Sequence, residues 1–425
     1  MNQSKFIFRF LQLNVSKSFS VLFALLIVLF SNAYSANPKI KSLQVYSNEN
    51  QTEFPIVSIG DNASGRITIE FDVESQFNPD LSMYFRLCDK DWNPINNPFL
   101  LNRGNERVDF LILERLPPLI TGAQYHYKET FPNEKVNFPF SGKWKFFVVD
   151  VYDESKIFAS GGFIVTENLL DINIKVDSEI RSDKNYFPTD LAKSLIINSS
   201  FSIPIDLYPQ NLIGIEIIEN SKLYSSYFVD KNIKNSNSEF YWNGNRDFNF
   251  IAKGITPGNE YRQANLNQYT SYSLKEVYAY RDRIETSRFF KFSERDNNGA
   301  TLLSDYKDIN SDYLNVKFSI RPPQPFSNDI YLVGSFNQWK IDDEFLLDDD
   351  DGLYTIRIPL KRGVYDYQYV VKSGNSFDWN ILEGNFLETS NRYHVLVYYN
   401  DTSYGGYQKI IGYSTIILNS NHGKK

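Results

Sequence analysis

Few residues in this chain of 425 are suited to chemistry, and their spacing joins none of them into a reactive group. Histidine, the commonest general base and metal ligand, occurs only as His126, His394 and His422, far apart in sequence and far from the single cysteine, Cys88. No G-x-S-x-G or phosphate-binding glycine loop is present. Cys88 lies in MYFRLCDKDW, where Asp89 and Asp91 deny it the electropositive setting a reactive thiolate needs, so it reads as a half-buried strand residue. The acidic run Leu346 to Tyr354 (LLDDDDGLY) has Leu347 where a calcium loop needs its first ligand, and is expected to be a solvated hairpin turn. Glycosidic cleavage needs two carboxylates about 5 to 9.5 Å apart, and among 51 acidic residues the sequence singles out no pair. What remains is aromatic: Trp339 and Trp379, with Tyr365, Tyr367 and Tyr369, offer ring faces that could stack on sugars. We therefore expect no enzyme, no catalytic residue, no cofactor and no metal, and a binding or structural role.

The elements that must position these residues are strands. In RITIEFDV, Ile67, Ile69, Phe71 and Val73 alternate with Thr68, Glu70 and Asp72; in YTIRIPL, Tyr354, Ile356, Ile358 and Leu360 alternate with Thr355, Arg357 and Pro359. A period of two puts one side of each strand on a core and the other in water. Similar runs recur at Met83 to Cys88, Gly142 to Tyr152, Lys156 to Val165, Asp171 to Asp177, Leu212 to Ile218, Tyr313 to Ile320 and Asn391 to Asn400, punctuated by Gly, Pro and Asn. No segment holds a 3.6-residue period, so the predicted class is all-β: tandem β-sandwiches of immunoglobulin-like or early-set type with little helix. Residues 1–35 read as a signal peptide, with Lys5, Arg9 and Lys17, an apolar run from Phe19 to Phe30, and a small-residue site at Ala33-Tyr34-Ser35. The divisions expected after it are 36–168, 169–308 and 309–404, followed by a tail, 405–425, whose run IIGYSTIIL could add an edge strand or await a partner. The leader holds three of the 44 basic residues and none of the 51 acidic ones, so the mature chain has a net charge of −10. It contains no basic block, so nucleic acid is not an expected partner. Cys88 has no disulfide partner within the chain.

Two resemblances sharpen this. The segment from Gly334 to Trp339 (GSFNQW) resembles the characteristic turn of early-set sandwiches related to carbohydrate-binding family 48. In sugar-binding members its tryptophan stacks on glucose, a lysine of the following ladder assists and a second tryptophan completes the platform. The resemblance thus points to Trp339 and Trp379, with Gln368 at the lysine's place. Over nearly the whole mature length the chain is similar to the type 9 secretion system plug family, through IKSLQVY, FPIVSIGD, YFRLCDKDWNP, FPNEKVNFPFSGKWKFFVVD, PGNEYR and LEGNFLETSNRYHVLVYY with IIGY close behind. That resemblance implies a periplasmic stopper, peripheral at the inner side of the outer membrane, which binds the very large β-barrel translocon of the type 9 pathway and closes its periplasmic opening when no cargo shuttle is bound. A barrel wide enough for folded cargo would otherwise leak solutes. The less favoured alternative is a non-catalytic carbohydrate-binding periplasmic protein using Trp339 and Trp379.

Overall fold

The computed structural model describes residues 37–60, 63–180, 192–233, 235–269, 277–288, 296–323 and 326–419; the leader 1–35 and His422 lie outside them. Among the described residues the regular structure is strand, interrupted by three-residue 3-10 turns such as Pro98–Leu100 and Ser335–Asn337. Six sheets pair into three sandwiches.

In the first sandwich, one sheet orders Lys39–Ser47, Ile67–Glu74, Tyr125–Phe131 and Glu114–Arg115. The other orders Ile56–Ser58, Ile157–Thr166, Gly142–Asp150, Leu81–Cys88 and Arg107–Val108. The alternation in RITIEFDV has its predicted consequence on one face: Ile67, Ile69, Phe71 and Val73 are fully buried against Met83, Phe85, Phe146 and Phe163. Cys88, expected to be half-buried, is 1% exposed, and burial pushes its thiol up to about 11. The glycine pair in KIFASGGFIV is needed for packing: a Cβ at Gly161 would stand 2.6 Å from the Phe146 ring, and one at Gly162 would stand 2.6 Å from Trp92.

The second sandwich departs from the expected divisions. One sheet orders Asn173–Ile180, Lys193–Ser202, Asp247–Ile255 and Ser238–Trp242. The other orders Ser226–Asp230, Leu212–Glu219, Arg392–Asp401 and Tyr407–Ile417. The strand Arg392–Asp401, assigned from sequence to a third module ending at 404, pairs with Leu212–Glu219 through Ile217↔Val395 and its neighbours. Its Tyr393, Val395 and Val397 complete the second core, beside Ile215 and Ile217. The apolar tail run becomes the edge strand Tyr407–Ile417, the first of the two fates anticipated for it.

The third sandwich is therefore an insertion between Asp247–Ile255 and Arg392–Asp401. Its central strand, the tyrosine-rich Gly363–Ser373, pairs with Arg262–Asn265, Thr301–Leu303, Ile330–Gly334 and Ser376–Asp378. In the facing sheet, Tyr313–Arg321 pairs with Leu353–Lys361, and with Val277–Tyr278 and Glu285–Thr286 in parallel. Residues 262–303, assigned from sequence to the second domain, thus belong to the third. Strand periodicity reports which face is buried, not which sheet a strand joins, so a domain built from two separated pieces leaves no local mark. The acidic turn is an exposed hairpin, as expected, with Asp351 and Gly352 at φ of 52° and 76°.

Candidate functional site

The polar face of RITIEFDV does not meet water: it meets another sandwich, and His126 lies there. Asp72, in the polar phase of RITIEFDV, is 1% exposed because the third sandwich covers it. Its carboxylate lies 2.7 Å from His126 Nδ1 and 2.8 Å from Lys361 Nζ. The Tyr313 hydroxyl is 2.9 Å from Asp72 Oδ2 and 2.8 Å from Ser42 Oγ. Tyr306 stacks on the His126 ring at 3.7 Å. Burial alone would raise the Asp72 pKa, but the His126 hydrogen bond and the Lys361 charge hold it below the usual aspartate range. His126 is therefore a seam residue between the first and third sandwiches, held by a carboxylate and a stacked ring.

A second buried pair joins the first sandwich to the second. Lys143 Nζ donates 2.7 Å bonds to Glu216 Oε1 and to the Lys90 carbonyl, while Glu216 Oε2 accepts from the Tyr398 hydroxyl at 2.6 Å. Both charged residues are 2% exposed. Around them Phe54, Trp92, Ile164, Ile218, Leu223, Leu396 and Ile410 form an apolar seam. His394 lies at its edge, with its ring 3.9 Å from that of Phe54 and its Nδ1 2.9 Å from the Tyr413 hydroxyl. Burial drives the His394 pKa down to about 3, so the imidazole is neutral. Tyr224 links all three bodies: Trp92 of the first packs 4.9 Å from its ring, and Lys340 of the third places its ammonium 4.1 Å from it.

The two sequence segments PGNEYR and LEGNFLET form the neck through which the chain enters and leaves the inserted sandwich. Phe386 N–H donates to Gly258 O at 2.7 Å, Asn259 Nδ2 to Glu383 O at 2.9 Å, and Gly258 N–H to Asn385 Oδ1 at 2.9 Å. Arg262 Nε reaches both Glu383 oxygens, and its Nη1 reaches Glu285 at 2.8 Å. Burial opposes the guanidinium charge, but Glu383 and Glu285 together raise its pKa above the ordinary range.

Beside the neck, a cleft of about 560 Å³ opens between the second and third sandwiches, lined by Glu219, Lys222, Tyr227, Glu260, Tyr261 and Trp379 among others. Trp339 and Trp379 both lie near Lys222, whose ammonium is 5.6 Å from the Trp339 ring and 4.9 Å from that of Trp379. They do not form a sugar platform. Gln338 and Trp339 both adopt left-handed backbone, at φ of 57° and 58°. That turn carries the indole inward until it is 2% exposed, with Nε1 bonded to Gly299 O at 2.8 Å and its ring 4.4 Å from Tyr261. A buried indole has no face to offer a sugar ring. Trp379 is half-buried at the cleft wall, and Gln368, where the lysine would stand, donates to its carbonyl at 2.9 Å. Lys222 itself fills the space between the rings and pairs with Glu219 at 2.8 Å.

Among the described residues no group of three His, Cys, Asp or Glu is placed to hold a metal ion, and no helix is long and apolar enough to cross a membrane. The seams were missed in the sequence because their charged members occupy the polar phase of ordinary strands. The one available signal was an alternation in which Glu70, Asp72 and Glu216 are flanked on both sides by large apolar residues.

Comparison with known proteins adds a family match over the first sandwich and a fold. Residues 40–167 match the family model described as "Type 9 secretion system plug protein 1st domain". No curated protein matches the sequence. Among solved structures, a hypothetical protein from Parabacteroides merdae ATCC 43184 is similar at 21% identity, over 89% of this chain and 97% of that one, with a TM-score of 0.72. The likeness extends the shared fold across all three sandwiches.

Proposed function

We propose that the chain is a plug of the type 9 secretion pathway, on the match of residues 40–167 to the first domain of its plug proteins. It binds the outer-membrane β-barrel translocon from the periplasm and closes its periplasmic opening when no cargo shuttle is bound. The family match carries this reading. Two features of the molecule support it. A stopper must keep its shape under solute pressure, and three sandwiches joined by desolvated charge pairs and an apolar seam move together. It also needs no reactive centre, and the buried histidines and thiol serve packing. The segment 1–35 would direct export, and the protein would act in the periplasm, without catalysis or cofactor.

The deciding experiment is affinity capture of the tagged protein from detergent-solubilised outer membranes, with the stoichiometry measured. Recovery of the translocon barrel at near one-to-one, together with increased solute leakage when the gene is deleted, is the expected result. A deletion strain with an equally tight envelope, and a translocon recovered without this chain, would overturn it.

A further inference from the structure

The two ends of the first sandwich are dressed differently. At one end four loops meet: 75–80 and 109–113, which pass between its sheets, and 116–124 and 151–156, which turn within them. Each presents large apolar side chains outward: Phe77 is 68% exposed, Phe110 56%, Ile112 82%, Leu119 62% and Tyr152 77%. The loops are stitched to the sheets and to each other. Val151 N–H donates to Asp80 O at 3.1 Å, the Tyr152 hydroxyl to Asp80 Oδ2 at 3.1 Å, Leu111 N–H to Leu81 O at 2.8 Å, and Ser75 N–H to Gln124 Oε1 at 2.8 Å. Phe110 sits at φ of 52°, a left-handed conformation that a bulky residue adopts only at a cost. The turn that seats Leu111 in the core and bonds it to Leu81 holds the Phe110 ring outward. Large aromatic and aliphatic side chains held on ordered loops are the usual anchors of protein interfaces.

The charges around these side chains narrow the partner. Asp80, Asp109, Glu114 and Glu154 are exposed there, against Arg115, Lys156 and Arg107, whose guanidinium pairs with Asp109 at 2.7 Å and Glu154 at 2.5 Å; acidic groups still outnumber basic ones. An anionic lipid surface would be repelled by this rim, whereas a protein face that is apolar at its centre and basic at its edge would be attracted.

We propose that this loop end of the first sandwich is the surface that docks onto the translocon barrel, with Phe77, Phe110, Ile112, Leu119 and Tyr152 as its anchors. This inference rests on the plug reading and adds the contact surface to it. The five side chains meet an apolar wall of the barrel, and the acidic rim meets basic residues around it. The third sandwich covers one flank of this end, where Ile120 and Ala123 pack beside Tyr306 and Tyr313 and the Thr121 carbonyl accepts from Tyr313 N–H at 3.1 Å, yet it leaves the five anchors exposed. At the opposite end Asn97 donates to the Tyr404 carbonyl of the second sandwich at 2.6 Å.

The test is the affinity of the full mature protein for the detergent-solubilised barrel. The triple variant Phe77→Ser, Ile112→Ser, Tyr152→Ser should bind about 100-fold more weakly with an unchanged melting temperature, as expected for the loss of two or three interface anchors. A matched variant on the second sandwich, Ile205→Ser with Tyr208→Ser, should bind as wild type. Phe110→Gly removes both ring and strain, so it should weaken binding about tenfold while the melting temperature holds or rises, a split that a purely structural role would not produce. If wild type binds the barrel and the triple variant binds equally well, the docking surface is wrong and the plug reading stands. If wild type does not bind the barrel, both fail. Loss in the triple variant of binding to vesicles containing anionic phospholipid, or of self-association, with barrel affinity unchanged, would also overturn the assignment.

Discussion

The first sandwich closes on the second around a buried charge pair and an apolar seam, whereas the third leaves clefts of about 560 Å³ against the second and about 620 Å³ against the first. Chain connectivity also differs between these contacts. The first sandwich is joined to the rest by one crossing, near residues 166–172, so non-covalent contacts must hold its orientation. Apolar packing and buried charge pairs supply them. The third is inserted and crosses twice, and the two crossings are clamped by the bonds of Gly258 and Asn259 to the segment 383–386. Two tethers a few ångströms apart already restrict its orientation, which permits the seam beside the neck to stay open and wet.

The largest effect should come from removing the buried carboxylate that joins the first sandwich to the third. Asp72→Ala would strip Lys361 of its carboxylate and leave His126 only Glu70, 3.5 Å from its Nε2, with Lys361 and His126 each about 1% exposed. Removing one partner of a buried pair costs about 3–5 kcal/mol, and we expect a loss of that order in denaturant unfolding. A loss under about 1 kcal/mol would mean that water already reaches this seam. Next comes Trp339→Ala, which empties the space between Gly299, Tyr261 and Lys222 and should cost about 3–5 kcal/mol. An exposed sugar-stacking tryptophan in the same place would cost far less, so this measurement separates the buried assignment from a platform.

Acid should act on the closed seam before the cleft. His394 has a folded pKa of about 3 against 6.5 when unfolded, so on acidification the unfolded chain takes up its proton first. The stability tied to the neutral ring is fully present above pH 6.5 and drains as pH falls toward 3. Between pH 7 and 4 it amounts to at most about 3 kcal/mol. His394→Phe, which keeps the ring against Phe54, should flatten that part of the stability curve. A variant with the wild-type slope between pH 6.5 and 4 would place the acid sensitivity elsewhere. Asp72 has a depressed pKa, so its contribution persists to lower pH and is lost only below the ordinary aspartate range.

How much of this was legible in the sequence differs between the faces of a single strand. In RITIEFDV the alternation correctly identified Ile67, Ile69, Phe71 and Val73 as core, and the same logic wrongly sent Glu70 and Asp72 to solvent. Periodicity records polarity, and a polar face covered by another sandwich with its charges paired has the same polarity as one in water. The same ambiguity hid Glu216, which alternates with Ile215 and Ile217 yet binds Lys143 across 73 residues of sequence. The resemblance to family segments located the neck, because PGNEYR and LEGNFLET were the pieces that stood out, but their pairing needs three dimensions. GSFNQW was visible as a turn. That two left-handed residues within it turn Trp339 inward was not, since neither Gln338 nor Trp339 advertises a positive φ.

The smallest effect should come from the cleft. Trp379→Ala removes one of three aromatic faces around Lys222, while the ammonium keeps Glu219 at 2.8 Å and the Tyr261 ring at 5.1 Å. The bond from Gln368 goes to the main-chain carbonyl of residue 379, so alanine retains it. What is lost is one cation–π contact on a half-buried ring, about 0.5–1 kcal/mol. The expected outcome is a melting temperature within a few degrees of wild type, and migration through an α-glucan affinity gel that neither protein shows retarded. Retardation of the wild type that disappears in Trp379→Ala would make the open cleft a sugar site, and would turn the contrast between the two seams into one between a scaffold and a binding surface.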